Sequence, residues 1–90
     1  MYNLTTTRQF EKDYKLCKKR GYKMSLFNSM LKELANTGSV PAKHKPHKLT
    51  GNYKDCWECH IQSDWLLIWL IDNETNAIQL IRTGTHSDLF

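Results

Sequence analysis

Apolar residues recur at helical spacing in the first quarter of the chain. Phe10, Tyr14 and Cys17 follow an i, i+4, i+7 pattern, and charged residues fill the positions between them. This pattern predicts an amphipathic helix over residues 8–20, with a basic outer face. Thr7 has the hydroxyl side chain that commonly caps the start of a helix.

A second segment has the same periodicity. From Phe27 onward, apolar residues fall at i, i+3, i+4 and i+7, which predicts a helix over residues 24–36. Gly38 follows directly and is suited to end it. Because only a short turn separates the two helices, they form a helical hairpin.

The last third of the chain has the pattern of β-strands. Residues 56–61, 65–71 and 77–83 are the predicted strands, and a polar turn precedes the last of them. The segment 65–71 is unbroken apolar, as in a central strand covered on both faces. With a first strand at residues 2–6, the order is β-α-α-β-β-β. This order predicts an α+β fold, in which the helix hairpin packs on one face of a small, mainly antiparallel four-stranded sheet.

Residues 37–55 show no regular pattern. They contain both prolines of the chain and a cluster of basic residues, namely Lys43, His44, Lys45, His47 and Lys48. A loop of this length in so small a protein is usually functional. The tail after residue 83 is expected to pack against the domain or to cap it.

Length and composition indicate what kind of protein this is and what kind of partner it binds. Ninety residues, 40% of them hydrophobic, suffice for one domain with a thin core. The formal net charge of +4 suits a nucleic acid, a ribosome or an acidic protein. No secretion signal or membrane span is visible, so we expect a cytoplasmic protein with reduced cysteines and no membrane partner.

A short cysteine motif suggests two cofactor alternatives. Cys56 and Cys59, followed by a histidine, match the C-x-x-C-H signature of haem attachment. Alternatively, the two cysteines could bind zinc together with His44 and His47. On a strand, however, residues three apart point to opposite faces. We therefore favour a structural role for the cysteines and expect no metal and no cofactor.

Histidines near the predicted strand ends suggest a different chemistry. His60 and Asp64 flank one strand junction, His86 and Arg82 lie near the end of the last strand, and His47 lies in the basic loop. RNA cleavage needs a base for the 2′-hydroxyl, an acid for the leaving oxygen and a cation for the phosphorane. Imidazoles can be both acid and base without a metal. A site that uses the 2′-hydroxyl would select RNA over DNA.

Each of these residues also has a structural interpretation. An isolated histidine is more often a surface or hydrogen-bonded structural residue than a catalyst. Asp64 could cap a turn, and Arg82 could be an ion-pair partner. The nuclease hypothesis therefore requires that side chains distant in the sequence converge on one phosphodiester.

Three sequence blocks resemble a known toxin family. Residues 47–51 (HKLTG), 59–68 (CHIQSDWLLI) and 81–90 (IRTGTHSDLF) occur in order and at the separations typical of the YafQ branch of the RelE/ParE toxin superfamily. The predicted first strand and helix hairpin also fit, so the resemblance covers essentially the whole chain. The chain departs from the usual family pattern at Lys48, where proline often follows the loop histidine.

The resemblance implies both an activity and a fold. Members of this family are ribosome-dependent mRNA endonucleases that a cognate antitoxin protein neutralises. Their fold is RelE/ParE-like and similar to that of microbial ribonucleases. The alternative is a non-enzymatic toxin of the ParE branch, which binds DNA gyrase and cuts nothing. A pure binding protein has no need of several histidines and an aspartate at these positions.

The resemblance also implies roles for individual residues. His47, His60, Asp64, His86 and Phe90 match the active-site positions of the family. His86 is the expected acid, and His60 or Asp64 is the base or its orienting partner. His47 is expected to contact phosphate or position the nucleotide. Phe90 is expected to stack on a base, or else to plug the edge of the core.

Several cations are the expected substrate-binding groups. By analogy with related toxins, Arg82 is the expected phosphate clamp, and the loop lysines Lys43, Lys45 and Lys48 contact RNA. The basic face of the first predicted helix fits contacts to ribosomal RNA, or is simply a solvated surface. The residues of that face are Lys12, Lys15, Lys18, Lys19, Arg20 and Lys23.

Overall fold

The computed structural model describes all residues from 1 to 90. Its helices and strands follow in the order β1 (Asn3–Thr6), α1 (Arg8–Lys19), α2 (Met24–Thr37), β2 (His47–Lys48), β3 (Trp57–Gln62), β4 (Trp65–Asp72), β5 (Ala77–Gly84) and α3 (His86–Leu89). Short 3₁₀ turns lie on either side of β2. None of the helices has both the length and the apolar content that a membrane crossing requires.

Both predicted helices are present and begin and end for the expected reasons. The Thr7 hydroxyl accepts a hydrogen bond from the Phe10 amide at 2.9 Å, which satisfies a free N–H at the start of α1. At the end of α2, Gly38 has a φ of 75°. A side chain at Gly38 would also collide with the Tyr2 ring, 2.5 Å from the added Cβ.

The sheet contains five strands in the order β1-β5-β4-β3-β2. Only β1 and β5 run parallel, so the sheet is mainly antiparallel as predicted. The predicted number of four strands is wrong by one, because His47 and Lys48 pair with β3. A two-residue strand is too short to produce the alternation from which strands are recognised in a sequence.

The two faces of the sheet bury different clusters. The face under α1 and α2, called the helix face below, carries a cluster of 13 buried residues that includes Phe27, Leu67 and Trp69. The opposite face, called the open face, has a cluster of only four, namely Cys56, Leu66, Ile68 and Leu89. Residues of β4 contribute alternately to the two clusters, so β4 is the central strand that its unbroken apolar sequence predicted.

The open face is covered by loop and tail rather than by the helix hairpin. Leu49 and Tyr53, from the segment between β2 and β3, pack against its apolar cluster, and Leu89 comes from α3. The tail was expected only to pack or to cap, and it forms this one-turn helix. All the chemistry described below lies on the open face or at its rim.

The cysteines occupy structural positions. Cys59 belongs to the helix-face cluster and Cys56 to the open-face cluster, so the two thiols lie on opposite sides of the sheet. They cannot bind one metal ion or one haem edge together. Burial raises the pKa of the Cys59 thiol to about 12, which keeps it protonated.

Candidate active site on the open face

Three of the residues expected to be catalytic contact one another at the rim of the open face. The His86 ring lies 6.0 Å from the His60 ring between centroids. The Asp64 carboxylate accepts hydrogen bonds from the His86 amide and from His86 Nδ1, each at 3.0 Å. Two imidazoles and one carboxylate, from three different elements, therefore share one spot.

The β3–β4 hairpin positions two members of this group. His60 pairs with Leu66 across the strands, which places its side chain on the open face. The register shifts between His60 and Gln62, as it does at a β-bulge. After the shift the chain turns within two residues, and Asp64 follows in that turn. His60 Nδ1 lies 3.3 Å from the Ser63 carbonyl oxygen, which fixes the ring against the turn.

Helix α3 positions the third member. Its N-cap residue, Thr85, and Asp88 form a capping box, in which each side chain accepts a hydrogen bond from the other residue's amide. His86 is the first residue of this turn, so its free amide points at Asp64. One helical turn later the chain ends at Phe90, whose ring lies 6.1 Å from the His86 ring.

Hydrogen bonding determines which ring nitrogens are available. Two hydrogen bonds that His86 donates, first from its backbone amide and second from its ring, lower the pKa of Asp64. An ionised carboxylate only accepts, so His86 Nδ1 donates to it and Nε2 stays free. A carbonyl oxygen also only accepts, so His60 Nδ1 donates to it, and in the neutral form of the ring Nε2 carries the lone pair.

A bidentate ion pair ties α3 to the end of α1. The Arg20 guanidinium donates to both carboxylate oxygens of Asp88, at 2.6 and 3.1 Å. This hydrogen bonding lowers the pKa of Asp88 and raises that of Arg20. Gly84 makes the approach possible, because a Cβ at this position would lie 2.7 Å from an Asp88 oxygen. Arg20 was expected only as one of several cations on a helix face.

Arg82, the expected phosphate clamp, forms an ion pair with Asp13 of α1. Its guanidinium donates to both oxygens of the buried Asp13 carboxylate, at 2.7 and 3.2 Å. The same carboxylate accepts from the Thr83 amide and the Gln9 side chain. This geometry favours the ion-pair role that the sequence left as the alternative. Asp13 itself was not expected, because a charged residue in an amphipathic helix usually faces solvent.

His47 is held by a carboxylate that the sequence did not indicate. Its Nε2 lies 3.4 Å from Glu58 Oε1, across the β2–β3 pair. Glu58 is 4% exposed, and its second oxygen has no hydrogen-bond partner. Glu58 and His60 are two residues apart on β3 and therefore share the open face. His47 therefore lies on the same face as His60, but its partner is Glu58 and not the group of His60, Asp64 and His86.

Glu58 left one weak signal in the sequence. A charged residue between the apolar neighbours Trp57 and Cys59 is unusual inside a predicted strand, since an unpaired buried carboxylate is costly. The C-x-x-C-H pattern drew attention to the flanking residues instead. Only the pairing of β2 with β3 identifies Glu58 as a partner of His47.

Of the remaining expected substrate-binding residues, Phe90, Lys43 and Lys45 border this group, whereas Lys48 lies over Trp57 on the helix face. Phe90 is 64% exposed, and its ring packs edge-on against Tyr53 at 5.5 Å, so it does not plug the core. Lys43 and Lys45 are exposed and line a groove that His60 also lines. The Lys48 ammonium lies 5.9 Å from the centre of the Trp57 ring.

Comparison with known proteins identifies the family. The model of the family described as the bacterial toxin of type II toxin–antitoxin systems, YafQ, matches residues 2–90. The mRNA interferase toxin YafQ of Escherichia coli K12 is 36% identical over 83 residues, which are 91% of this chain and 88% of that protein.

Solved structures agree with this match. A metal-bound toxin from Helicobacter pylori superposes with a TM-score of 0.91 at 37% identity, over all of both chains. YafQ in the DinJ–YafQ complex of E. coli has a TM-score of 0.89 at 32% identity, over 100% of this chain and 99% of that one. The resemblance found in the three sequence blocks is confirmed: the chain belongs to the YafQ family of type II toxin–antitoxin toxins.

Proposed function

We propose that this YafQ-family toxin cleaves mRNA on the ribosome by acid–base catalysis with histidines and without a metal ion. Its relatives in E. coli are named mRNA interferases, and an endoribonuclease activity follows from the family. The observation that carries the mechanism is the contact between His60, Asp64 and His86 beside an exposed aromatic ring.

The free nitrogens suggest the division of labour. His60 Nε2 takes the proton of the 2′-hydroxyl, and that oxygen attacks the adjacent phosphorus. The bond from phosphorus to the 5′-oxygen breaks, and His86 Nε2 gives that oxygen a proton. The products are a 2′,3′-cyclic phosphate and a 5′-hydroxyl. Asp64 orients His86 and faces the positive charge that the ring carries as an acid.

The surrounding residues have supporting roles. Phe90 offers an exposed ring on which an unpaired base can stack. His47, oriented by Glu58, contacts phosphate on the open face, and the lysines of the loop neutralise the RNA backbone. Arg82 pairs with Asp13 and also donates to the Asp88 carbonyl oxygen, so it supports α3 instead of binding phosphate.

The partners follow from charge and family. A YafQ relative has been solved in complex with DinJ. We expect a cognate antitoxin for this chain, encoded by the neighbouring gene and acidic in its C-terminal segment. The basic face of α1 contacts ribosomal RNA, so the protein acts in the cytoplasm. The gyrase-binding alternative has no support from the comparisons, since the family matched is YafQ.

The direct test is cleavage of mRNA on programmed ribosomes. Wild type should cut, and His86→Gln, which removes the acid, should lose about 100-fold or more in rate. Ser87→Ala, on the exposed side of the same helical turn, should cut as wild type does. Wild-type rates for His86→Gln would overturn the assignment.

Two further arms of this experiment test the finer claims. Removal of the ribosome should abolish cutting, and equal cutting of free mRNA would contradict ribosome dependence. Treatment of the toxin alone with a chelator, which is removed before the ribosomes are added, should leave the rate unchanged. Because a relative was crystallised with metal bound, loss of activity that added metal restores would overturn the metal-independent mechanism.

A further inference from the structure

A groove adjoins the catalytic group, which consists of His60, Asp64 and His86, on the side away from Phe90. Its volume is about 530 Å³, within the usual range of small-ligand sites. It shares His60 with the catalytic group, but neither His86 nor Phe90 lines it. The polar residues that line it are Lys43, His44, Lys45, His60, Gln62 and Ser63.

His44 is fixed in this groove by the backbone of the catalytic strand. Its Nδ1 lies 2.8 Å from the carbonyl oxygen of His60. Because the carbonyl only accepts, Nδ1 holds a proton, and Nε2 of the neutral ring is a hydrogen-bond acceptor. The half-buried His44 ring is therefore oriented without taking part in the reaction proposed above.

Gln62 and Ser63 complete the set of groups that can recognise a base. An amide side chain offers two donors and one acceptor, and a hydroxyl offers both functions. Single-stranded RNA is recognised by such hydrogen bonds to the edges of unstacked bases. The bulge after His60 places Gln62 beside the groove, and the side chain is exposed and unpaired.

We propose that this groove binds the nucleoside on the 5′ side of the cleaved bond, with His44 and Gln62 contacting its base and Lys43 and Lys45 its 5′ phosphate. This inference rests on the proposed function. The assignment to the 5′ side follows from the positions of the His60 and His86 rings relative to the groove. His60, the base, serves the 2′-hydroxyl of the upstream nucleotide and borders the groove. His86, the acid, serves the downstream oxygen and borders Phe90.

Cut-site mapping on programmed ribosomes tests the groove separately from the catalytic group. Gln62→Ala and His44→Ala should still cut, but each should weaken the preference for the upstream base by about threefold to tenfold, as expected for one lost hydrogen bond. Gln79→Ala, an exposed glutamine on β5 far from the groove, is the matched control and should keep the wild-type preference.

Each outcome separates the two proposals. If wild type cuts no RNA, the proposed function fails. If wild type cuts and both variants keep its base preference, only the groove assignment fails. A change confined to the downstream base would overturn the direction proposed here. Because Gln62 is exposed, loss of folding does not confound that variant.

Binding of a probe that cannot be cleaved provides a second measurement. A dinucleotide with a 2′-deoxy upstream sugar should shift the NMR amide signals of residues 43–45 and 62–63. In Gln62→Ala, the affinities for probes that differ only in the upstream base should converge. Shifts restricted to the surroundings of Phe90 would contradict binding in the groove.

Discussion

The two faces of the sheet differ in what covers them and in what they contribute. The helix face buries 13 residues of the main core under two helices. The open face buries four, under a loop and one helical turn, and carries His47, Glu58, His60 and Arg82. Ionisable side chains can reach substrate there because the helix hairpin does not cover that face. Stability and catalysis should therefore respond to different substitutions.

The helix face should dominate stability. Phe27 is fully buried and packs against Phe10, Tyr14 and Trp65. Phe27→Ala should lower the free energy of unfolding by about 4 kcal/mol, because it leaves a cavity in the core. Denaturant titration measures this loss. The matched control is Leu16→Ala on the exposed side of α1, with an expected change within about 0.5 kcal/mol. Similar losses of unfolding free energy in both variants would contradict the dominant role of the helix-face core.

The Asp13–Arg82 pair connects the two faces of the sheet. Its loss should have the second largest effect on the free energy of unfolding. Asp13→Ala leaves the partly buried guanidinium without its partner and should cost about 3 kcal/mol of unfolding free energy. Asp13→Ala combined with Arg82→Met should recover part of that loss, which a double-mutant cycle measures. If Arg82→Met instead left stability unchanged and abolished cleavage, the phosphate-clamp role would be restored.

The Arg20–Asp88 ion pair, which holds α3 against the end of α1, should affect catalysis more than stability. Arg20→Met removes both hydrogen bonds to Asp88 and should lower kcat about tenfold, since small displacements of a catalytic group are costly. The KM for ribosome-bound mRNA should change no more than in Lys19→Met, because both variants lose one charge from the same basic face of α1. Lys19→Met controls for the lost charge, because Lys19 is the neighbouring cation on α1 and does not bind Asp88. An equal fall in kcat for both variants would contradict the positioning role.

The smallest effect concerns the titration of Asp64. Because its pKa is lowered in the folded protein, its anchoring of His86 is complete above the ordinary value of about 3.9 and is lost as the pH falls through the lower, folded value. The side-chain carboxyl signal of Asp64, followed by NMR, should therefore titrate below that value. His86→Ala should move the midpoint upward. A wild-type midpoint at or above the ordinary value would contradict the contact.

Prediction from the sequence succeeded where the signal was local. Helix positions, the buried central strand and the opposite orientation of Cys56 and Cys59 all follow from periods of 3.6 or 2 residues. The expected convergence of His47, His60, Asp64 and His86 came from their chemistry and was strengthened by the family resemblance. In the structure His60 and Asp64 each lie against His86, whereas His47 lies against Glu58. Their catalytic roles stay a proposal that the variants above test.

What the sequence left open or missed concerns partners that are distant along the chain. Arg82 was expected to bind phosphate or else to form an ion pair, and in the structure it pairs with Asp13, 69 positions away. Its role toward substrate stays a prediction. Glu58 was overlooked because its partner His47 lies on a two-residue strand without sequence pattern. The count of four strands failed for the same reason.

The sequence by itself determined the order of the longer elements, most residues of the core and the excess of positive charge, because each depends on neighbours or on composition. The tertiary structure decided which acid meets which base, how α3 is anchored and where a groove opens beside His60. These outcomes depend on strand register and on the packing of α1 against β5. Only the folded chain sets those distances, and a change of one residue in register would alter all of them.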